Sequence, residues 1–188
     1  ANNFKELEAY IKANGAKVTM ANAGPGAVSQ LCGLLFQSRL GVKLTNIPYK
    51  GTGQSVPALI GGQVDMLFSA LPSLSGFVKN GQVRLIASNA GKRSSQEPNV
   101  PTISEMIPGF DFAPIVGVLA STGTPQAAMD RISAEMTAVA KMPETIQILS
   151  NAGIDAIGGS AADYARAIAE ENERFGKAVQ AAGIKQQE

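Results

Sequence analysis

The chain has 188 residues, of which 45% are hydrophobic and 16% charged, and its formal net charge is +1. This composition predicts a globular chain long enough for one large domain or two small lobes. The small net charge and the scattered basic residues argue against nucleic-acid binding, and no apolar run approaches the roughly 18 residues that a membrane span requires. The first residues lack the form of a signal peptide, so we expect the chain to begin inside a mature protein.

The sequence offers few groups for metal or acid–base chemistry. It contains no histidine, which is the commonest general base and metal ligand, so we predict no metal and no cofactor. Cys32 is the only cysteine and therefore cannot form an internal disulfide. Its spacing from Leu35 predicts a position on the buried face of a helix, where cysteine acts as a small apolar residue.

Helix and strand patterns alternate in the first half of the chain, which is typical of α/β layers with a largely parallel sheet. The predicted elements are a helix capped by Asn3 and ending at Asn14-Gly15, strands at 17–21, 44–48, 64–68 and 83–88, and helices at 27–40, 54–60 and 71–80.

The segment 90–114 contains four prolines and a capping pattern, Thr102-x-x-Glu105, and is expected to cross between two lobes. Beyond it we predict strands at 115–120 and 155–157, helices opening at Thr124-Pro125 and Pro143, and a long last helix capped by Ser160. The apolar stripe of that helix is expected to pack in a core; it comprises Tyr164, Ile168, Phe175 and Val179. The predicted domains are 1–110 and 111–188.

Residues 19–36, TMANAGPGAVSQLCGLLF, predict a strand, a glycine-bracketed turn and a helix in direct succession. Gly24 and Gly26 permit a tight turn and a close approach of the backbone to a ligand. The helix start adds free N–H groups and the positive end of the helix dipole. The pattern predicts a pocket for a carboxylate or phosphate made by several unpaired backbone N–H groups, although such turns also occur as plain connections.

Several longer motifs occur in a fixed order along the chain. They are NIPYKGTGQSVPALIGGQVDMLFSALPS, GQVRLIASNAGKRSSQEPNVPTISEMIPGFDF, ASTGTPQAAMDRISAEM and a closing AAGIK. In this order they resemble the solute-binding receptors of tripartite tricarboxylate transporters, the Bug family, over essentially the whole chain.

The resemblance implies an α/β, periplasmic-binding-protein-like fold of the type II, Venus-flytrap kind. It implies a periplasmic protein that is not an enzyme, captures a mono-, di- or tricarboxylate in an interlobe cleft and delivers it to permease subunits in the membrane. The ligand-binding positions that it implies are Asn22, Ala23, Gly24, Gly26, Ala27, Val28, Ser29 and Ser69.

Compared with the family, this sequence lacks about the first hundred residues of the mature receptor. Residues 1–110 would then be the complete second lobe, and 111–188 the C-terminal part of the first lobe. We expect the latter to expose apolar faces unless the missing segment or a second copy of the chain covers them.

Three departures from the family pattern bear on the ligand. Gln30 stands where a histidine is common, Ser69 where an acidic residue is common, and Ile115 with Val116 where an aromatic pair is frequent. Without the acidic residue, a plain mono- or dicarboxylate is favoured over a ligand that carries an amino group.

Other interpretations of the same residues stay open at this point. An esterase would have to use Ser29, Ser69 and Asp65, although Asp65 more simply supports a turn. A ligand-sensing module would signal to a membrane sensor through the same pocket, and a truncated fragment would bind nothing. Asn22, Ser29 and Ser69 could also serve only local turns and caps.

Overall fold

A three-stranded parallel sheet organises the first part of the chain in the computed structural model, which describes residues 1–94, 97–181 and 183. The strands are β1 (Thr19–Asn22), β2 (Thr45–Pro48) and β3 (Met66–Leu67), in the order β2-β1-β3. In the register, Thr19 pairs with Thr45 and Met20 with Met66. Because the strands are parallel, their carboxyl ends lie at one edge of the sheet.

The helices connect and extend this sheet. They are α1 (Phe4–Asn14), α2 (Val28–Leu40), α3 (Thr52–Ile60), α4 (Ser75–Lys79), α5 (Gln126–Ala140), α6 (Pro143–Asn151) and α7 (Ala161–Ala181), with short 3-10 turns at Gly15–Lys17, Leu71–Ser73 and Ile103–Glu105. The predicted single helix at 71–80 is therefore divided into a 3-10 turn and α4.

Helices α2 and α3 cover opposite faces of the sheet. The side chain of Met20 fills the space beside Gly33 of α2. The next residue of β1, Ala21, packs with Ala58 of α3 and with Val64. Successive strand residues point to opposite faces, and right-handed connections from β1 to β2 and from β2 back to β3 require this arrangement.

An aromatic cluster around Phe36 of α2 forms much of the buried core beside the sheet. The Phe36 ring makes edge contacts with Phe4, Phe68 and Phe110 at centroid distances of 6.0, 5.7 and 6.4 Å. Phe110 in turn contacts Phe112 at 5.0 Å. Phe36 thus links α2 to α1, to the end of β3 and to the chain segment near residue 110.

Two compact units divide the chain. One contains Ala1–Ala113 together with 176–181, and the other contains Pro114–Phe175. Helix α7 therefore contributes residues to both units. The proposed lobes, 1–110 and 111–188, remain a prediction, and residues 95–96 of the first and 182 and 184–188 of the second lie outside the described part of the chain.

The unit Pro114–Phe175 exposes many large apolar side chains, as expected from the sequence. They are Val116, Val118, Leu119, Ile132, Met136, Val139, Met142, Ile146, Ile148, Ile154, Ile157 and Ile168. The expected core position is wrong for Ile168, which is 40% exposed. Tyr164 is half-buried, and its ring lies against Gly117.

Three predicted strands do not form. Residues 83–88 contribute only an isolated bridge between Ser88 and Thr102, and 115–120 and 155–157 are irregular. A strand requires a neighbour to satisfy its backbone groups, and no strand among the described residues lies beside these segments. Val116, for example, is 89% exposed.

Replacing Phe36 by alanine should destabilise the first unit by about 3–5 kcal/mol, since it leaves a cavity at the centre of the aromatic cluster. Urea unfolding followed by circular dichroism measures this change. Tyr10→Ala is the control, because Tyr10 is 49% exposed. Equal midpoints for the two variants would contradict the central role of Phe36.

The stability of the first unit should also depend on pH through Glu105. Hydrogen bonds from Arg93, at 2.7 Å to each carboxylate oxygen, and from the Thr102 N–H at 3.0 Å lower the pKa of Glu105 from 4.5 to about 2. Because the folded pKa is the lower one, this stabilisation is complete above the unfolded pKa and is lost as the pH falls towards about 2.

Glu105→Gln should therefore lower the urea midpoint near neutral pH and reduce its fall between about pH 5 and pH 2. Arg93→Met should reduce the same pH-dependent component, because Arg93 is the main cause of the lowered pKa. A variant that keeps the full pH dependence of the wild type would exclude this ion pair as its source.

Candidate functional site

The loop between β1 and α2 lies at the carboxyl edge of the sheet, next to the loop that follows β2. The Tyr49 N–H donates to the Asn22 carbonyl oxygen over 2.9 Å and joins the two loops. In the order β2-β1-β3 the topological switch point lies between β1 and β3, so the loops that follow these two strands adjoin the place where α/β sheets commonly bind ligands.

Side chains within the loop accept hydrogen bonds from its own backbone. The Gly24 N–H donates to Asn22 Oδ1 over 2.9 Å, and the Ala23 N–H donates to Ser29 Oγ over 3.0 Å. The Gly26 N–H donates to Gln30 Oε1 over 2.8 Å. The side chains of Asn22, Ser29 and Gln30 thus fix the geometry of this loop.

These bonds correct part of the sequence-based picture. The N–H groups of Ala23, Gly24 and Gly26 are paired, and that of Ala27 donates to the Gly24 carbonyl oxygen over 3.2 Å. They are not the unpaired donors that the glycine turn predicted, because side-chain oxygens satisfy the first three groups and a backbone carbonyl oxygen satisfies the fourth. Asn22 is 2% exposed and holds the turn.

Two backbone donors of this loop have no acceptor within the described part of the chain. They are the N–H groups of Val28 and Ser29, the first two residues of α2. An α-helix leaves its first N–H groups without intrahelical partners. The Ser29 hydroxyl accepts from Ala23 and still has its own proton to donate.

The two glycines of the loop serve different purposes. Gly24 is buried with a φ of +98°, and a Cβ there would lie 3.5 Å from the Tyr49 carbonyl oxygen. Gly26 is exposed with a φ of +75°, and a Cβ there would meet nothing within 4 Å. Gly24 is needed for the turn, whereas Gly26 keeps the surface beside the helix start open.

Ser69 follows β3 at the same edge of the sheet. The residue is half-buried, and its Oγ is buried without a hydrogen-bond partner. A buried hydroxyl without a partner is unfavourable, so this atom is suited to accept or donate a hydrogen bond when a ligand is present.

The groups that an esterase would need are not assembled. Asp65 Oδ2 accepts from both the N–H and the hydroxyl of Thr19 over 2.7 Å. Thr19 begins β1, so this carboxylate lies at the opposite edge of the sheet from Ser29 and Ser69. Asp65 therefore holds the starts of two strands together, and neither serine has a base beside it within the described residues.

The single thiol is unreactive in this setting. Cys32 is fully buried, and burial raises the pKa of its thiol to about 11. The Asn89 side-chain amide lies 3.5 Å from the sulfur. Thiolate reactivity requires a lowered pKa and partial exposure, so Cys32 serves packing.

The described ranges contain no cluster of three or more side chains that could ligate a metal. None of the helices described above combines the length and apolar character that crossing a bilayer requires.

Relatives of known sequence extend beyond the length of this chain. The chain is 32% identical over 181 residues to the "UPF0065 protein in tcbD-tcbE intergenic region" of Pseudomonas sp. strain P51. The matched region covers 94% of this chain and 54% of that protein. The chain is also 32% identical over 184 residues to a UPF0065 protein of Agrobacterium vitis, and the matched region covers 96% of this chain and 53% of that protein. The chain thus spans about half the length of these relatives.

Solved structures share the fold. Rpa4515 of R. palustris, solved with adipate, matches with a TM-score of 0.92 at 26% identity, covering 97% of this chain and 62% of that one. The periplasmic binding protein BugD matches with a TM-score of 0.86 at 30% identity, covering 100% and 64%. MatC of Rhodopseudomonas palustris, solved with malate, matches with a TM-score of 0.79 at 26% identity. That match covers 94% of this chain and 62% of MatC.

These similarities confirm the expected periplasmic-binding-protein-like α/β fold, with one lobe and part of another. The model of the family described as "Tripartite tricarboxylate transporter family receptor" matches residues 1–184. Since this match covers nearly the whole chain, the protein belongs to the tripartite tricarboxylate transporter receptor family.

Proposed function

We propose that this chain is part of a periplasmic solute-binding protein that captures a small organic carboxylate and delivers it to a tripartite tricarboxylate-type permease. The observation that carries the proposal is the open start of α2, where two unpaired N–H groups and the Ser29 hydroxyl adjoin the glycine loop. Family membership and relatives solved with adipate and malate support the choice of a carboxylate.

The geometry is suited to binding without bond chemistry. The N–H groups of Val28 and Ser29 and the positive end of the α2 dipole favour a negative group at this point. Hydrogen bonds from N–H and O–H donors to a carboxylate are charge-assisted and therefore stronger than neutral ones. Asn22, Ala23, Gly24 and Ala27 shape the loop, and Ser69 offers a further hydroxyl.

The exposed apolar side chains of the unit Pro114–Phe175 fit the proposal that it is an incomplete lobe. The relatives are about twice as long as the matched region, so they contain further residues that can cover such a face. In this proposal, either that additional segment or a second copy of the chain completes the lobe. A fragment with neither would be a non-binding remnant.

Gly26→Ala should weaken carboxylate binding at least about tenfold, since a methyl group would occupy the open surface beside the α2 start. Gly41→Ala is the matched control, because Gly41 also has a positive φ, 65°, and a Cβ there would likewise meet nothing within 4 Å. The two changes impose similar backbone strain, but Gly41 lies at the other end of α2.

Isothermal titration with adipate measures both affinities, and thermal unfolding checks that both variants fold. If Gly26→Ala binds adipate as tightly as Gly41→Ala does, this loop is not part of the binding site.

The function itself is tested on the full gene product that contains this chain. Native mass spectrometry should show a species heavier than the 188-residue chain, or a complex with a second polypeptide, carrying a small organic acid that is released on denaturation. Titration with adipate and with malate should then give saturable binding at one site.

A species that carries no acid and binds neither compound would contradict the proposal and favour a non-binding fragment. The alternative of a ligand-sensing module is distinguished by affinity capture from membranes with and without adipate. Ligand-dependent capture of a sensor protein instead of permease subunits would favour that alternative.

A further inference from the structure

Two asparagine–glycine steps occur in the sequence, and each lies at the end of a helix in the first unit. Asn14 is the last residue of α1, and Gly15 after it has a φ of +51°. Asn80 directly follows α4, and Gly81 after it has a φ of +71°. Such steps are chemically labile, because glycine has no Cβ to hinder attack of its nitrogen on the preceding side-chain amide.

The first of these amides is held by the helix that it ends. Asn14 is half-buried, and its Nδ2 donates to the Tyr10 carbonyl oxygen over 2.9 Å. The Gly15 N–H donates to the Ile11 carbonyl oxygen. Helix α1 has eleven residues, with Asn3 capping its start and Ile11 fully buried. An attack by the Gly15 nitrogen would therefore have to break both hydrogen bonds at the end of a well-anchored helix.

The second amide is free of such restraint. Asn80 is exposed, and its side chain has no hydrogen-bond partner among the residues that the structure describes. Helix α4 has only five residues, none of them buried, and no side chain caps its start. Helices this short are marginal by themselves. The Gly81 N–H donates to the Val78 carbonyl oxygen over 3.0 Å, and local opening of this last turn releases it at little cost.

We propose that the fold directs spontaneous deamidation to Asn80 and protects Asn14. The Gly81 nitrogen, after losing its proton to hydroxide, attacks Asn80 Cγ and forms a new C–N bond. The bond from Cγ to Nδ2 then breaks, and ammonia leaves with a proton taken from water, so that a cyclic imide results. Water opens the imide at either carbonyl and gives aspartate or isoaspartate at position 80. In sum, one water is consumed and one ammonia is released.

The products would change the turn that follows α4. Either one places a negative charge at the C-terminal end of this helix, where the helix dipole disfavours it. The N–H groups of Gln82 and Val83 both donate to the Phe77 carbonyl oxygen, over 2.9 and 3.2 Å. Isoaspartate adds a carbon to the backbone between Phe77 and these donors, so we expect both bonds to be lost in that product.

Peptide mapping of the full gene product that contains this chain tests the proposal. Trypsin cuts after Lys79 and Arg84 to give the peptide 80–84, NGQVR, and after Lys12 and Lys17 to give 13–17, ANGAK, so each step appears on its own peptide. After incubation of the folded protein at mildly alkaline pH, we expect 80–84 to convert at least about fivefold faster than 13–17, the factor that one ordinary hydrogen bond contributes. In urea that unfolds the protein, the two peptides should convert at similar rates.

Two matched variants give a second measurement on the intact protein. Asn80→Gln should remove the main acidic species that ion exchange resolves after incubation, because the longer glutamine side chain closes the ring poorly. Asn14→Gln should leave that species in place.

Preferential conversion of Asn80 in the folded protein that disappears in urea supports the assignment. Conversion at Asn14 that equals or exceeds that at Asn80 in the folded protein overturns it. So does an unconverted peptide 80–84 after a time in which the unfolded protein converts. A preference for Asn80 that persists in urea also overturns it, because the cause would then be the neighbouring sequence and not the fold.

Discussion

The edge packing of Phe36 against three other phenylalanines is the contact on which the geometry of the site depends. Phe36 lies in α2, and its contacts with Phe4 and Phe110 fix this helix against α1 and the segment near residue 110. Its contact with Phe68 fixes the residue that precedes Ser69. The open start of α2 and the unpartnered Ser69 hydroxyl are therefore positioned by the same cluster.

The elements that could be predicted from the sequence are those whose signals are local. Asn3 and Glu6 cap α1 as expected, and the glycine turn, α2 and the β1-β2 pairing follow from short-range patterns. The segments 83–88 and 115–120 have equally good apolar patterns but do not form strands. Strand formation requires a partner, and a pattern in one segment carries no information on whether a neighbouring strand exists.

The candidate site was predictable only at the level of the backbone. The sequence indicates the turn at Gly24 and Gly26 and the helix start behind it, but it does not show where each N–H donates. Rotamers decide that the Ala23 and Gly26 groups bond to Ser29 and Gln30. The number of donors available to a ligand is consequently smaller than the turn suggests, and side chains of the first helical turn become more important.

A receptor that delivers its ligand has to bind it firmly and also release it. Buried ion pairs with arginine or lysine hold carboxylates strongly, but breaking them leaves an unpaired charge and is costly. The proposed site instead combines helix-start N–H groups with the hydroxyls of Ser29 and Ser69, all of which are neutral and can be rehydrated when the ligand leaves. None of these groups titrates near neutral pH, in contrast to a histidine at the position of Gln30. The positive end of the α2 dipole, together with these donors, then gives the proposed neutral site its preference for anions.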